Sequence, residues 1–115
     1  MTIPPEIIGL IDQLNRELDL IEQSAINGLN IARPILYRFP ENAILIGLFA
    51  TLNNNLLFVD ISRRRIQLTI DSISLPDIAV ELIQEAGEDL AELLGRTLEN
   101  KILVSRALAI LEGLQ

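Results

Sequence analysis

Apolar residues recur at alternating spacings of four and three through nearly the whole chain, and few folds accommodate that pattern. In the first third the series is Ile7, Ile11, Leu14, Leu18, Ile21, Ala25, Gly28, Ala32 and Ile35. In the second it is Leu45, Phe49, Leu52, Leu56, Val59, Arg63, Ile66, Ile70 and Ile73, with Arg63 the single break. In the third it is Ala79, Ile83, Ala86, Leu90, Leu93, Thr97, Asn100, Val104, Ala107, Leu111 and Leu114, broken at Thr97 and Asn100. A mean repeat of about 3.5 residues keeps one stripe of a helix against a partner helix. The spacing predicts an all-α fold of three long helices with coiled-coil-like packing.

Three start signals divide the chain. Thr2-Ile3-Pro4-Pro5-Glu6, Phe39-Pro40-Glu41-Asn42 and Ser74-Leu75-Pro76-Asp77 each place proline beside an acid. Proline lacks the N–H that a first helical turn leaves unpaired, and acids favour the positive end of the helix dipole. Ser74 adds a plausible N-cap. The expected helices run over about 4–33, with a kink or break near 28–34, then 40–73 and 76–113, in a single domain over 1–115. Asn27-Gly28 and Pro34 motivate the break. The short turns make sequential helices antiparallel.

Second apolar rows accompany the first: Ile8, Leu10, Leu20 and Leu29, then Leu48, Leu57, Ile61 and Leu68, then Leu82, Leu94, Leu98 and Leu108. One helix cannot aim every such residue at two neighbours. A homodimer that buries the surplus stripe is expected. A membrane span is not: the most apolar run, 43–52, has ten residues before Asn53-Asn54-Asn55 interrupts it, and a span needs about 20. The first residues lack the basic start of a secretory signal. A cytoplasmic location is the expectation.

The chain has no His, no Cys and no Trp. Thiol nucleophiles, Cys/His zinc sites and histidine-assisted catalytic pairs are therefore excluded. Glu81, Glu85, Glu88, Asp89 and Glu92 fall at helical spacing, but di-metal bundles pair such acids with His. A solvated acidic face is expected, with no metal, no resident cofactor and no enzymatic activity.

Net charge is −7, which disfavours nucleic acid. The charge is uneven. Residues 1–29 carry one base and five acids, residues 30–70 five bases and two acids, and residues 71–115 three bases and nine acids. Eight of the nine bases are Arg, the residue that grips phosphate or carboxylate through two parallel donors and stacks on flat rings. The string Asp60-Ile61-Ser62-Arg63-Arg64-Arg65 concentrates them. Two roles stand open for Arg63, Arg64 and Arg65: inter-helix ion pairing, with Asp12, Glu17 and Asp19 or with Glu85, Glu88 and Asp89, or binding of an anion. Arg33, Tyr37 and Arg38 form a second cluster, where the only tyrosine could stack on a base or cap a helix end. The two clusters could meet in one site only across an antiparallel dimer. Asn53, Asn54 and Asn55 either set helix register or bond a ligand edge.

Asp60 followed by Arg63, Arg64 and Arg65 resembles cyclic di-GMP sites, in which arginines hold phosphates or stack on guanine and an acid accepts from the base edge. The whole chain is similar to a small all-helical cyanobacterial family of cyclic di-GMP receptors. The resemblance implies a phosphate or base role for the three arginines, a base-edge role for Asp60, and stacking or phosphate contacts from Tyr37, Arg33 and Arg38. The expected function is a dimeric, non-enzymatic regulatory module that binds a cyclic dinucleotide and signals to a protein partner. The alternative is a ligand-free coiled-coil adaptor with structural arginines.

Overall fold

A computed structural model describes residues 3–115; Met1 and Thr2, at the head of the first start signal, lie outside them. Three helices, α1 (Pro5–Arg38), α2 (Ala43–Ile73) and α3 (Val80–Gly113), form an up-down-up rod with extents of 59 × 18 × 16 Å. The fold is all-α, with the three helices packed on one another. α1 lies along both others, and α2 and α3 meet less extensively.

The heptad positions form the core. Leu14, Leu18 and Ile21 of α1, Leu52 and Val59 of α2, and Leu90, Val104 and Leu111 of α3 are almost wholly buried. Intrinsic propensity contributes little to helix stability in water, so packing of these stripes supplies most of what holds each helix.

α1 does not break where Gly28 and Pro34 suggested. It runs continuously to Arg38, with Pro34 inside it. Packing explains the difference. Gly28 is buried where the helices approach closely, and a Cβ there would meet Leu52 Cδ1 at 2.8 Å and Leu111 Cδ1 at 3.6 Å. Pro34 is exposed, so the backbone hydrogen bond that it removes is lost on the solvent side. Beyond it, Ile35 and Leu36 still pack on the core, and Phe39 N–H donates to the Ile35 carbonyl at 3.0 Å.

Two other starts shift by three or four residues. α2 begins at Ala43, because Asn42 is its N-cap and Asn42 Oδ1 accepts from Leu45 N–H at 3.1 Å. α3 begins at Val80 with Ala79 as its N-cap. Ser74, expected to open α3, closes α2 instead: its hydroxyl donates to the Ile70 carbonyl at 2.6 Å. The reversal between them is tight enough to put Asp77 at φ 57°, a left-handed conformation that Asp tolerates better than most residues.

Candidate functional site

The arginine run begins where α2 crosses the acidic stretch of α1. Arg63 falls on a heptad position, so its stem points toward α1, and its guanidinium reaches two carboxylates there. Nη2 lies 2.7 Å from Asp19 Oδ1, Nη1 lies 2.7 Å from Glu22 Oε2, and Nη2 also reaches Glu22 Oε1 at 3.2 Å. The hydrogen bonds that Arg63 donates to Glu22 raise the Arg63 pKa above its ordinary value, against partial desolvation and with further help from Asp19. Asp19 was among the partners expected; Glu22 was not. One further helical turn along α1 would have found it, because i and i+3 residues share a face.

Arg64 bonds to Asp60 within α2. The acid expected to read a base edge thus faces an arginine one turn away. Arg65 is half-buried and has no ion pair among the described residues. The second cluster lies toward the α1–α2 turn. Arg33 Nη1 donates to Asn30 Oδ1 at 3.3 Å, Arg38 sits 6.0 Å from the Phe39 ring centre, and Tyr37 is 88% exposed. Arg63 stands about 30 Å from the start of α2 at about 1.5 Å per residue. One chain therefore does not bring Arg63, Arg64 and Arg65 together with Arg33, Tyr37 and Arg38.

The surface hollows lie elsewhere. A cleft between the end of α2 and the start of α3 is lined by Ile73, Ile78, Leu82, Glu85 and Asp89, among others. Its charged groups are acids, which suits no anion. At the opposite end, Ile35, Phe39, Ile44, Leu45 and Leu114 line an apolar hollow. Arg38 borders a shallow neighbouring one, beside Phe39, Pro40, Glu41 and Asn42. Among the described residues no group of three His, Cys, Asp or Glu side chains is arranged to hold a metal ion.

A polar belt surrounds the middle of the rod. Asn55, 2% exposed, donates through Nδ2 to Asn100 Oδ1 at 2.9 Å. Buried Thr97 donates to the Leu93 carbonyl at 2.8 Å. Lys101 Nζ lies 2.8 Å from Glu17 Oε2 and joins α3 to α1. Asn55 belongs to the amide triplet and Asn100 is a break in the third heptad series. Counting outward from the second turn places them at one height, so their pairing was recoverable from the sequence and was missed.

The outer face of α2 is an apolar feature left unexplained. Residues 43–59 contain no charge. α2 is long and apolar enough to cross a membrane by length and composition, and only 22% of its most apolar 18-residue window is buried. Ile46, Leu57, Ile61 and Leu68 are all exposed, Leu57 at 55% and Leu68 at 69%. A soluble chain leaves such a stripe uncovered rarely.

No family model, no curated protein and no solved structure matches this chain.

Proposed function

We propose that this chain is a helical interaction module that works by binding rather than catalysis. It covers the outer face of α2 with another protein chain. The single observation that carries this reading is the uncharged stretch 43–59, which lies on an outer helix and is mostly unburied. Two of the three arginines in the run are engaged locally instead. Arg63 is held by Asp19 and Glu22, and Arg64 by Asp60. A bilayer is the poorer cover, because Asn53, Asn54 and Asn55 interrupt the stretch and Asp60, Arg64 and Arg65 follow it.

The test is a photo-crosslinking amino acid installed in place of Leu57 in the full chain inside cells, with Glu88 as the comparison site. Protein adducts are expected from position 57 and not from position 88. Equal yields from both sites, or lipid adducts alone from position 57, overturn the reading.

A second reading, binding of a cyclic dinucleotide, is favoured by Tyr37, whose ring stands free in solvent on the stretch of α1 that carries Arg33 and Arg38. Calorimetry with cyclic di-GMP decides it. Heat at micromolar ligand, lost in Tyr37→Ala, supports it; no heat at high micromolar ligand overturns it.

A further inference from the structure

We infer that the partner covering α2 is a second copy of this chain, with the two α2 helices antiparallel and Leu57 on the two-fold axis. The inference rests on the interaction-module reading above and names the partner that the reading leaves open.

The outer stripe extends equally to either side of Leu57 and ends in an apolar residue each way. Asn53 and Ile61 lie four residues either side, Ala50 and Arg64 seven, and Ile46 and Leu68 eleven. All are exposed. Steps of four, seven and eleven keep a stripe on one helix face. A closed two-fold contact pairs a surface with itself, residue i against j and j against i. Antiparallel pairing about Leu57 therefore sets Ile46 against Leu68 at both ends of the contact. It sets the long Arg64 side chain against small Ala50. It also sets Asn54, three residues before the axis, against Asp60, three after it, so that an amide meets a carboxylate.

Charge selects the same direction. One half of the rod, residues 3–21 and 61–98, holds eleven acids and five bases; the other half, 22–60 and 99–115, holds five acids and four bases. A parallel pair would bring the two acidic halves together and Arg64 against its own copy. An antiparallel pair sets each acidic half beside the nearly neutral half of its partner, where Arg33, Arg38, Lys101 and Arg106 lie. Avoiding like-charge juxtaposition in this way favours one orientation over the other. The arrangement also sets Arg64 and Arg65 at the height of the partner's Ala50 and Phe49, about 10 Å along the axis from the partner's first turn at about 1.5 Å per residue, nearer the second arginine cluster than one chain brings them.

The absence of native cysteine makes the test clean. Leu57, Ile46 and Leu68 are exposed, so cysteine at each leaves the core intact. Sedimentation of the full chain at high micromolar concentration should give a dimer, and Leu57→Glu should give a folded monomer. With a short bismaleimide, Leu57→Cys alone should run as a covalent dimer. Ile46→Cys alone and Leu68→Cys alone should not, because like positions are about 33 Å apart along the axis at about 1.5 Å per residue. The double variant carrying both changes should crosslink.

A dimer in which Ile46→Cys and Leu68→Cys each crosslink alone is parallel and overturns the inference, as does a dimer with no crosslink at any of the three positions. Either result leaves the interaction-module reading standing. A monomer at high micromolar concentration overturns the inference too, whether or not the chain pellets with phosphatidylcholine vesicles. The adducts from position 57 in cells then decide the module reading separately.

Discussion

The two faces of α2 are made of similar residues at similar spacing, yet one is covered and the other is not. The inner face sets Leu45, Leu52, Val59, Ile66 and Ile73 into the bundle; the outer face sets Ile46, Ala50, Leu57, Ile61 and Leu68 toward solvent. What differs is the surface opposite. Leu52 meets buried Gly28 of α1, whereas Leu57 meets no other part of its own chain's core. Hydrophobic periodicity thus says that a face is to be covered without saying which chain covers it. Inner substitutions should act on folding and outer ones on association.

The largest contrast should be Leu52→Ala against Leu57→Ala. Leu52 is fully buried, and truncating such a leucine costs about 2–5 kcal/mol, the cavity term included. Leu57→Ala should cost less than about 0.5 kcal/mol in dilute monomer, as surface changes usually do. Urea titration followed by circular dichroism measures both. Similar costs at low concentration would mean that the outer face is covered within the chain, and the comparison would collapse.

Next comes the amide triplet, which straddles the two faces. Asn55 faces inward and donates to Asn100, while Asn54 is exposed. Asn55→Ala strips Asn100 of its donor inside the bundle, a loss of about 1–3 kcal/mol. Asn54→Ala should change monomer stability by less than about 0.5 kcal/mol. The same titration separates them, and an Asn55→Ala variant as stable as the parent would remove the register role of the polar belt.

Glycine sharpens the contrast by reversing its sign. Gly28 and Gly47 are both helical, and alanine in an open helix position gains up to about 1 kcal/mol. At Gly47 nothing lies within 4 Å of an added Cβ, so Gly47→Ala should stabilise the fold. At Gly28 the Cβ would meet Leu52 Cδ1 at 2.8 Å and Cδ2 at 3.2 Å. Leu52 is fully buried and has little room to turn. Overpacking of this kind costs about 1–3 kcal/mol, so Gly28→Ala should be destabilising on balance. Opposite shifts in the urea midpoint are the expected outcome.

These residues also show what the sequence could convey. The inner stripes were legible because burial selects apolar residues at a fixed period: Leu14, Leu52 and Leu111 all stand where the spacing placed them. Of the kink or break expected near 28–34, the break is absent: local propensity and close helix packing both select glycine, and only the neighbouring helix distinguishes them. Ser74 was misassigned for a related reason. A serine hydroxyl serves either end of a helix, and the reversal around Asp77 sets α3 back by several residues. At the site, Arg63 was legible as a half-buried residue because it occupies a core position. Its exact partners were not, since a long flexible side chain reaches carboxylates over several residues of the facing helix. The outer stripe was visible as a surplus of leucine and isoleucine, but its extent to either side of Leu57 acquires meaning only once α2 is known to be continuous and exposed along that side.

The smallest effects belong to the arginines on the edge between the two faces. Arg63 bridges α2 to Asp19 and Glu22 of α1, whereas Arg64 pairs with Asp60 of its own helix. Exposed pairs contribute up to about 1 kcal/mol, and i,i+4 pairs about 0.3–0.5 kcal/mol. Arg63→Ala should therefore cost more than Arg64→Ala, and both costs should shrink in high salt as the charges are screened. Urea titrations at low and high ionic strength resolve the order. Should Arg63→Ala leave stability unchanged even at low salt, the ion pair does not hold α2 to α1. The guanidinium would then be as available to a ligand as to Asp19 and Glu22, and the balance would move from a structural arginine toward an anion site.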